Sequence, residues 1–386
     1  MRVLLTKEQY PQKSTFCNLK TKSGFVLEDV ENSAIHGTID TPVVSFGLKN
    51  GFVTANKNRY FLYEETDKTK LKATSRYVWA HPKKSDDLIE WNGQKYPGSI
   101  LCICENDTFS IINVLDSEIY VMSVLYCESC IDWDIEVQKT FAIMVRTYLV
   151  FRVIESRTQA KAGTRKWYDI KCTNAHQTYR GIHNHPKLEK ATQKTSGLII
   201  TWGKKPIDAR YDICCGGVKP NLLEGVANFE KAPYLARTQA CTFCSKAKAF
   251  SWETIYPQKM FEEKIRSEFP KKKARGNLVS VSVSRTGKAG AVKEITIKWQ
   301  KDTLKISGKK MYSLFKKIKS SLYDAFLDDR GIHFVGKGFG HHLGLCQWGA
   351  KEMVRQGYSY RDVLAFYYPH TSLMRLEIVS PASERN

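Results

Sequence analysis

One glutamate in this sequence has the surroundings of an acid/base catalyst. Glu128 lies in YVMSVLYCESCIDWD, in a predicted short loop just before an apolar run that starts near Asp134. Lys139 and Arg146 follow, seven residues apart, so a helix would place them two turns apart on one face. Burial raises the pKa of a carboxyl group and nearby cations lower it, so such a group can donate or accept a proton. An ion pair within the fold is the structural alternative for Arg146.

The eleven cysteines offer a second kind of chemistry. The pairs Cys127-x-x-Cys130 and Cys241-x-x-Cys244 have the spacing of metal or redox sites, but more than a hundred residues separate them. Structural zinc, disulfide bonds and buried free thiols all fit this pattern. Cys172 and His176, four residues apart, form another candidate metal pair. We expect no catalytic cofactor.

A glycine-rich segment near the C-terminus, GKGFGHHLGLCQWGA, supplies side chains suited to sugar binding. Its spacing excludes the two common phosphate-binding loops. Glycines at 336, 338 and 340 permit positive φ angles and a close approach of the backbone to a ligand. This loop would hold His341, with Gln347 one to two helical turns further on. Gly357 then predicts the end of one helix, and Ser359-x-x-Asp362 predicts the capping box of the next.

The periodicity predicts the elements that carry these residues. Residues 1 to about 115 contain short β-branched runs between turn residues, which indicates strands. From Asp134 to about Glu155 the apolar residues occupy all sides of a helix, so that helix should be buried. Residues 168–217 read as two or three strands. The predicted fold is α+β and mixed: a β-rich N-terminal part, a buried catalytic helix, and C-terminal helices packed on irregular sheets.

Charge and hydropathy limit the function further. The formal net charge of +21 favours an anionic partner, although solubility alone could explain it. Part of the charge lies in KISGKKMYSLFKKIKSS (305–321), which alternates like an amphipathic helix. No zinc-finger, homeodomain or RNP motif accompanies it, so we expect no nucleic acid partner. No transmembrane segment is predicted, and MRVLLTKEQYPQ, with a three-residue apolar run, does not resemble a signal peptide.

Four ordered motifs resemble those of the stage II sporulation protein D family, also called the SpoIID/LytB or amidase-enhancer family. They are WNGQKYPGSI, the Glu128 block with its A-x-x-x-R-T-Y helix, HQTYRG with ARYDICCGG, and GKGFGHHLGLCQWGA with GYSYRDVLAFYYPHT. The resemblance covers residues 90 to about 375. Cys346 stands where serine is usual, His342 replaces a glycine, and His176 lies near a cysteine that binds zinc in some members.

The resemblance implies a domain organisation and a site. Residues 1–90 would form a β-rich N-terminal region, 91–378 the catalytic domain and 379–386 a C-terminal tail. Glu128 would be the catalytic acid/base. Substrate-binding residues would be Lys139, Arg146, Tyr211, Gln177, His341 and Gln347. The first three would orient Glu128 and stabilise charge, and the last three would line the wall of the cleft.

The resemblance also implies an activity: a peptidoglycan lytic transglycosylase. It would cut the β-1,4 bond between N-acetylmuramic acid and N-acetylglucosamine in denuded glycan strands, leaving a 1,6-anhydro ring. The alternative is a non-catalytic, peptidoglycan-binding activator of an N-acetylmuramoyl-L-alanine amidase, which would then be the partner. Either role implies an extracytoplasmic location, in the periplasm or cell envelope.

Overall fold

The computed structural model describes most of the chain. The described residues are 1–9, 17–29, 35–39, 42–49, 52–55, 62–64, 67–71, 76–105, 108–163, 166–173, 175–270, 275–286 and 288–376. The predicted tail, 379–386, lies outside them.

Internal contacts divide the chain into two compact units. Unit 1 comprises Met1–Leu198 with Arg375–Asn386, and unit 2 comprises Ile199–Met374. Helices and strands both occur, mostly in segregated stretches, which confirms the predicted α+β class. The boundaries suggested by the family resemblance, after residues 90 and 378, stay predictions.

The described residues of unit 1 form three α-helices: α1 (Ser117–Glu128), α2 (Ile135–Lys161) and α3 (Pro186–Lys194). Its strands are β1 (Arg2–Gln9), β2 (Cys17–Lys20), β3 (Phe25–Asp29), β4 (Ile35–Ile39), β5 (Val43–Lys49), β6 (Phe52–Ala55), β7 (Leu62–Glu64), β8 (Asp67–Leu71), β9 (Tyr77–Pro82), β10 (Ile89–Trp91), β11 (Gln94–Tyr96), β12 (Ser99–Glu105), β13 (Thr108–Val114) and β14 (Ile170–Lys171).

From Leu198 onward the described strands are β15 (Leu198–Trp202), β16 (Lys205–Pro206), β17 (Tyr211–Asp212), β18 (Ser251–Tyr256), β19 (Leu278–Thr286), β20 (Ala291–Trp299), β21 (Thr303–Ser307), β22 (Tyr323–Asp328), β23 (Gly331–Lys337), β24 (Leu345–Cys346) and β25 (Ser372–Arg375). The helices are α4 (Gln258–Glu268), α5 (Gly308–Leu314), α6 (Gln347–Arg355) and α7 (Tyr360–Tyr367).

A large sheet in unit 1 leads directly into the first helix. Its described strands run in the order β14-β1-β13-β12-β9-β3-β4-β7-β8. A core of Leu4, Tyr77, Leu101, Ile103 and Ile112 packs at its centre. The predicted strands of the N-terminal part are thereby confirmed. Because β13 ends at Val114 and α1 starts at Ser117, this sheet fixes where α1 begins.

The long helix α2 matches its prediction closely. Asp134 is the N-cap, and its carboxylate accepts the Glu136 N–H at 2.8 Å. Burial is confirmed for the first half of the helix, since Val137, Phe141, Met144 and Leu149 are at most 2% exposed, but not for its later turns, where Ile154 is 48% exposed. The helix continues six residues beyond the predicted end at Glu155, to Lys161.

Two predictions from the sequence, one of strands and one of a helix, were wrong in part. Residues 168–217 contain the helix α3 as well as strands, because PKLEKATQK joins a proline at the first turn to good helix formers. The segment 305–321 is mostly not helical. Its first residues belong to β21, which pairs with β20, and α5 spans only Gly308–Leu314.

Unit 2 contains several small sheets around its own core. The described strands form the sheets β18-β23-β22 and β19-β20-β21 and the parallel pair β17-β24. Buried aromatic side chains, including Trp252, Phe261, Trp299, Phe315 and Phe334, dominate this core. The Gly357 helix end and the Ser359–Asp362 capping box are both confirmed. No helix in the described residues has the length and apolarity needed to cross a lipid bilayer.

Candidate functional site

Glu128 is the last residue of α1, where the sequence had suggested a loop. Asp116 caps the helix start by accepting the N–H of Glu118 at 2.8 Å. At the other end the Ser129 N–H donates to the Leu125 carbonyl at 2.9 Å, and the chain turns extended. The carboxyl group of Glu128 therefore has a rigid helix behind it and a capped helix end beside it.

The HQTYRG segment supplies the direct partner of that carboxyl group. Oε1 of Glu128 accepts the backbone N–H of Thr178 at 2.5 Å. Burial raises the pKa of Glu128 above its usual range, while the backbone and side-chain hydrogen bonds from Thr178 act in the opposite direction. A carboxyl group with these opposing influences can exist in both protonation states during one reaction.

Gln177 fixes this segment between the two long helices. Its Oε1 accepts the Tyr120 hydroxyl of α1 at 3.1 Å, and its Nε2 donates to the Val145 carbonyl of α2 at 3.3 Å. The Gln177 side chain is fully buried. Gln177 therefore positions the neighbouring Thr178 N–H, a role that differs from the predicted wall of a cleft.

The WNGQKYPGSI motif packs behind the same segment. The Ile182 N–H donates to the Lys95 carbonyl at 2.7 Å, and the Tyr96 and Tyr179 ring centroids are 6.0 Å apart. Gly181 has φ +79°, and an added Cβ would lie 2.3 Å from the Lys95 carbonyl oxygen. Three motifs far apart in the sequence thus meet around Glu128, and the glycine is needed for that contact.

The loop after Glu128 is held by residues that the sequence analysis did not single out. Gln138 of α2 accepts the Ser129 hydroxyl and donates to the Cys130 carbonyl, both at 2.7 Å. Lys187 of α3 donates to the Ile131 carbonyl at 3.0 Å. Gln138 was recognisable as the neighbour of Lys139 on the predicted helix, and Thr178 as the neighbour of Gln177.

Arg146 and Lys139 have partners other than Glu128. Arg146 is 2% exposed, and its Nε and Nη2 bind the two carboxylate oxygens of Glu118 at 2.7 and 2.6 Å. Its remaining donors reach backbone carbonyls of α2 and of the α3 region. Lys139 forms an ion pair with Glu136. Arg146 therefore joins α1 to α2, which is the ion pair considered as its structural alternative.

The Arg146–Glu118 pair gives a testable stability effect. Replacing Glu118 by Gln should lower the free energy of unfolding by about 3 kcal/mol, because it leaves a buried guanidinium without its counter-charge. The matched control is Glu155→Gln. Glu155 pairs with Arg152, which also lies on α2 but is more exposed than Arg146. That change should cost less than about 1 kcal/mol. Urea denaturation followed by tryptophan fluorescence measures both, and equal losses would contradict the assignment.

Three further side chains in unit 1 lie near this helix end. Burial raises the pKa of Cys127, the residue before Glu128, while the backbone N–H and the charge of exposed Arg180 act to lower it. Tyr126 is 39% exposed, and its ring stacks on His183 with centroids 4.2 Å apart. An exposed cation and a stacked aromatic pair suit an anionic sugar polymer. Arg180 was recognisable inside HQTYRG.

The other predicted substrate residues belong to unit 2. Tyr211 lies in β17, His341 in the glycine-rich loop, and Gln347 at the start of α6. Asp212, next to Tyr211, holds the loop by accepting the backbone N–H groups of His341 and His342. Burial raises the pKa of Asp212 to about 8, although these N–H groups act to lower it.

The glycines of this loop meet distinct demands. Gly338 and Gly340 have φ angles of +75° and +132°, as predicted, and an added Cβ on Gly340 would lie 2.0 Å from the Asp212 carboxylate. Gly336 lies in an extended strand instead, where an added Cβ would lie 2.3 Å from the Trp252 ring. A glycine is therefore required at position 336 by packing against Trp252, and not by the backbone conformation.

The candidate metal pair in unit 1, Cys172 and His176, makes polar contacts with other groups. The Cys172 thiol donates to the Leu5 carbonyl at 3.2 Å. The His176 ring accepts the Lys171 N–H at 3.1 Å on one nitrogen, and Arg152 lies 3.1 Å from the other. Burial lowers the pKa of His176 to about 4, and the nearby charges of Arg152 and Lys171 act in the same direction. Among the described residues, neither belongs to a group of three or more closely spaced metal-binding side chains.

Comparison with known proteins places this site in a family context. Residues 105–202 match the model of a family described as SpoIID, stage II sporulation protein. That match contains Glu128 and its Thr178 partner. Residues 231–344 match a separate domain of unknown function.

Comparisons with individual proteins, each over part of the chain, agree with the family match. An uncharacterised protein of Brachyspira hyodysenteriae is 29% identical over 290 residues, covering 74% of each chain. Stage II sporulation protein D of Bacillus amyloliquefaciens is 26% identical over 270 residues, covering 65% of this chain and 72% of the relative. The amidase enhancer of Bacillus subtilis is 22% identical over 288 residues, covering 62% of this chain and 38% of the relative.

Proposed function

Because this chain belongs to the stage II sporulation protein D family, we propose that it is a lytic transglycosylase that cuts denuded peptidoglycan. Its substrate would be the β-1,4 bond between N-acetylmuramic acid and N-acetylglucosamine. The observation that supports this proposal best is the state of Glu128: one carboxyl group at a helix end, with a raised pKa and a backbone N–H on Oε1.

The reaction needs only this one carboxyl group, used twice. Protonated Glu128 donates its proton to the glycosidic oxygen as the bond to C1 of the muramic residue breaks. The carboxylate that forms then accepts the proton of the C6 hydroxyl, whose oxygen bonds to C1 and closes the 1,6-anhydro ring. Glu128 is protonated again at the end, and no water is consumed. This differs from sugar hydrolysis, which uses two carboxyl groups.

The neighbours of Glu128 fit supporting roles in this cycle. The Thr178 N–H stabilises the carboxylate formed in the first step. Gln138 and Arg146 act as positioning residues, because they hold the loop after Glu128 and the helix before it. Lys139, Tyr211, His341 and Gln347 stay proposed substrate-binding residues.

The charge of the chain suits this substrate. Removal of the stem peptides leaves a lactyl carboxylate on each muramic residue, so denuded glycan is a polyanion. A protein of net charge +21 should bind it, and binding should weaken as salt rises. Exposed Arg180, which lies near Cys127, is suited to bind one lactyl carboxylate. A substrate of this kind would place the protein outside the cytoplasm.

A second candidate function is activation of an amidase without catalysis. It is favoured by the similarity to a protein named amidase enhancer. In that case Glu128 would have a structural role, and the partner would be an N-acetylmuramoyl-L-alanine amidase.

Product analysis separates the two functions. Purified chain is incubated with peptide-free glycan strands in heavy-oxygen water, and the new ends are identified by mass spectrometry. Transglycosylation predicts anhydro-muramic ends without heavy oxygen. Reducing ends that contain heavy oxygen would indicate a hydrolase instead. If no new ends form while added amidase works faster on intact peptidoglycan, the activator function is correct.

The raised pKa of Glu128 predicts a pH dependence. Cleavage should fall as pH rises through that pKa, because the first step requires the protonated acid.

The same raised pKa affects stability. A carboxyl pKa raised by folding stabilises the protein at low pH, and this contribution is lost as pH rises through the raised value. Glu128→Gln should therefore be more stable than wild type at neutral pH, with a difference that shrinks in acid. Thermal unfolding at several pH values measures this, and a constant difference would contradict it.

A further inference from the structure

Four cysteines of unit 2 meet at one buried point. The sulfur atoms of Cys215, Cys241, Cys244 and Cys346 all lie within 4.8 Å of one another, and all four residues are buried with free thiols. A tetrahedral zinc site with Zn–S bonds of about 2.3 Å has sulfur atoms about 3.8 Å apart. The Cys215 and Cys244 sulfur atoms are 3.7 Å apart. The arrangement thus has the dimensions of a closed tetrathiolate site.

The backbone brings these cysteines together from three places. Cys215 follows β17 and precedes Gly216 and Gly217, whose φ angles are +63° and +75°. Cys241 and Cys244 come from a Cys-x-x-Cys turn. Cys346 ends β24, which pairs with β17. The register of these strands places Cys346 opposite Asp212, and Cys215, three residues after Asp212, donates its N–H to the Cys346 sulfur at 3.3 Å. The turn supplies the other two sulfurs.

Hydrogen-bond donors surround the sulfurs in the way that thiolate ligands require. The N–H groups of Cys215 and Gly349 each lie 3.3 Å from the Cys346 sulfur, the latter from the first turn of α6. The Tyr367 hydroxyl lies 3.1 Å from the Cys241 sulfur. A Cβ on Gly349 would lie 2.8 Å from that sulfur and 2.0 Å from the tyrosine oxygen. Such outer contacts orient and stabilise metal-bound thiolates.

A buried cation beside Tyr367, whose hydroxyl contacts the cluster, adds support. Arg237 is 3% exposed, and within the described residues no carboxylate lies in ion-pair range of it. Its donors reach the carbonyls of Val218 and Gln239. Its guanidinium lies 5.5 Å from the ring centroid of Tyr367, whose hydroxyl contacts Cys241. A buried guanidinium requires nearby negative charge. Four thiolates around a divalent ion carry a net charge of −2, which would provide it.

We propose that Cys215, Cys241, Cys244 and Cys346 bind one structural zinc ion. Four protein ligands leave no open position for substrate, so the ion holds the fold together and takes no part in catalysis. Cys241 and Cys244 belong to the segment matched by the domain of unknown function, whereas Cys215 and Cys346 lie outside it, in the motifs ARYDICCGG and GKGFGHHLGLCQWGA. The zinc thus fastens this segment to those motifs.

The site explains why the Cys-x-x-Cys pairs were hard to interpret from sequence. Cys127 and Cys130, which have the same spacing as Cys241 and Cys244, are not in the group. The partners of Cys241 and Cys244 are instead two cysteines without any paired spacing. Cys346 stands where serine is usual in the family that this chain resembles, and a metal-binding role would explain the cysteine.

Metal analysis of the purified full-length chain tests the proposal. After gel filtration in metal-free buffer, elemental mass spectrometry should find about one zinc per chain. Replacement of zinc by cobalt should produce a thiolate-to-cobalt charge-transfer band and the strong visible bands of tetrahedral cobalt. The double variant Cys241→Ser/Cys244→Ser should lose the zinc. The matched control Cys102→Ala, a fully buried cysteine of unit 1, should retain it.

The measurements on the wild type keep the proposal falsifiable even if the double variant fails to fold. Stoichiometric iron, disulfide bonds among these cysteines in peptide maps, or no bound metal would each overturn it. A cobalt spectrum without thiolate bands would overturn it as well. None of these results depends on glycan cleavage, so failure of the zinc proposal and failure of the proposed enzyme activity are distinguishable.

Discussion

Replacing Glu128 by Gln should reduce cleavage of denuded glycan by a factor of about 10² to 10⁴ while the protein stays folded. Glutamine has nearly the same shape, and its amide oxygen can still accept the Thr178 N–H that now binds Oε1. It cannot donate a proton to the glycosidic oxygen or take one from the C6 hydroxyl. Both halves of the reaction are therefore lost in one change. The rate of formation of anhydro-muramic ends, measured by mass spectrometry, gives the effect.

The matched control for this experiment is Glu189→Gln, an exposed glutamate on α3 in the same unit. It removes the same charge and should leave the cleavage rate within about a factor of two, because charges on the solvent side are largely screened. Glycan binding, measured by co-sedimentation, should persist in both variants. Undiminished cleavage by Glu128→Gln would exclude Glu128 as the acid/base.

Withdrawing the metal from the four-cysteine site should have the largest effect on stability. Zinc binding contributes about 10–16 kcal/mol to the folding of small zinc domains, which equals or exceeds the total stability of an ordinary domain. We therefore expect a chelator to lower the denaturant midpoint of the wild type strongly. Added zinc should restore the midpoint, and added magnesium should not, because thiolates bind magnesium poorly. Circular dichroism in graded urea measures these midpoints.

The Cys102→Ala variant again serves as the comparison. It removes a buried sulfur in β12 and should lower the midpoint modestly through lost packing. Its response to chelator and zinc should nevertheless equal that of the wild type. If the wild type unfolds at the same urea concentration with and without chelator, the ion is either absent or structurally unimportant.

Much of the secondary structure around the site followed from local sequence patterns. The cap at Asp134, the helix behind it, the end at Gly357 and the capping box at Ser359 were all correct. Each of these depends on residues within one or two turns of the feature that they specify. The helix α3 was missed because glycine and histidine-proline turns on either side outweighed a nine-residue run of helix formers.

The partners of the charged residues did not follow from local patterns. Spacing placed Lys139 and Arg146 on one helix face, but spacing cannot show which carboxylate lies opposite. Arg146 meets Glu118, 28 residues away, because α1 and α2 pack side by side. Glu128 accepts a hydrogen bond from the backbone N–H of Thr178, and no side-chain pattern records such a contact.

The sequence by itself indicated the family resemblance, the α+β class and the candidacy of Glu128, because these depend on ordered motifs and on helical and strand periodicity. Tertiary structure alone decided which groups touch that carboxyl group and which four of eleven cysteines converge. The reason is physical. Periodicity is a property of neighbours along the chain, whereas a proton donor or a metal site is made by groups that meet only when distant segments pack together.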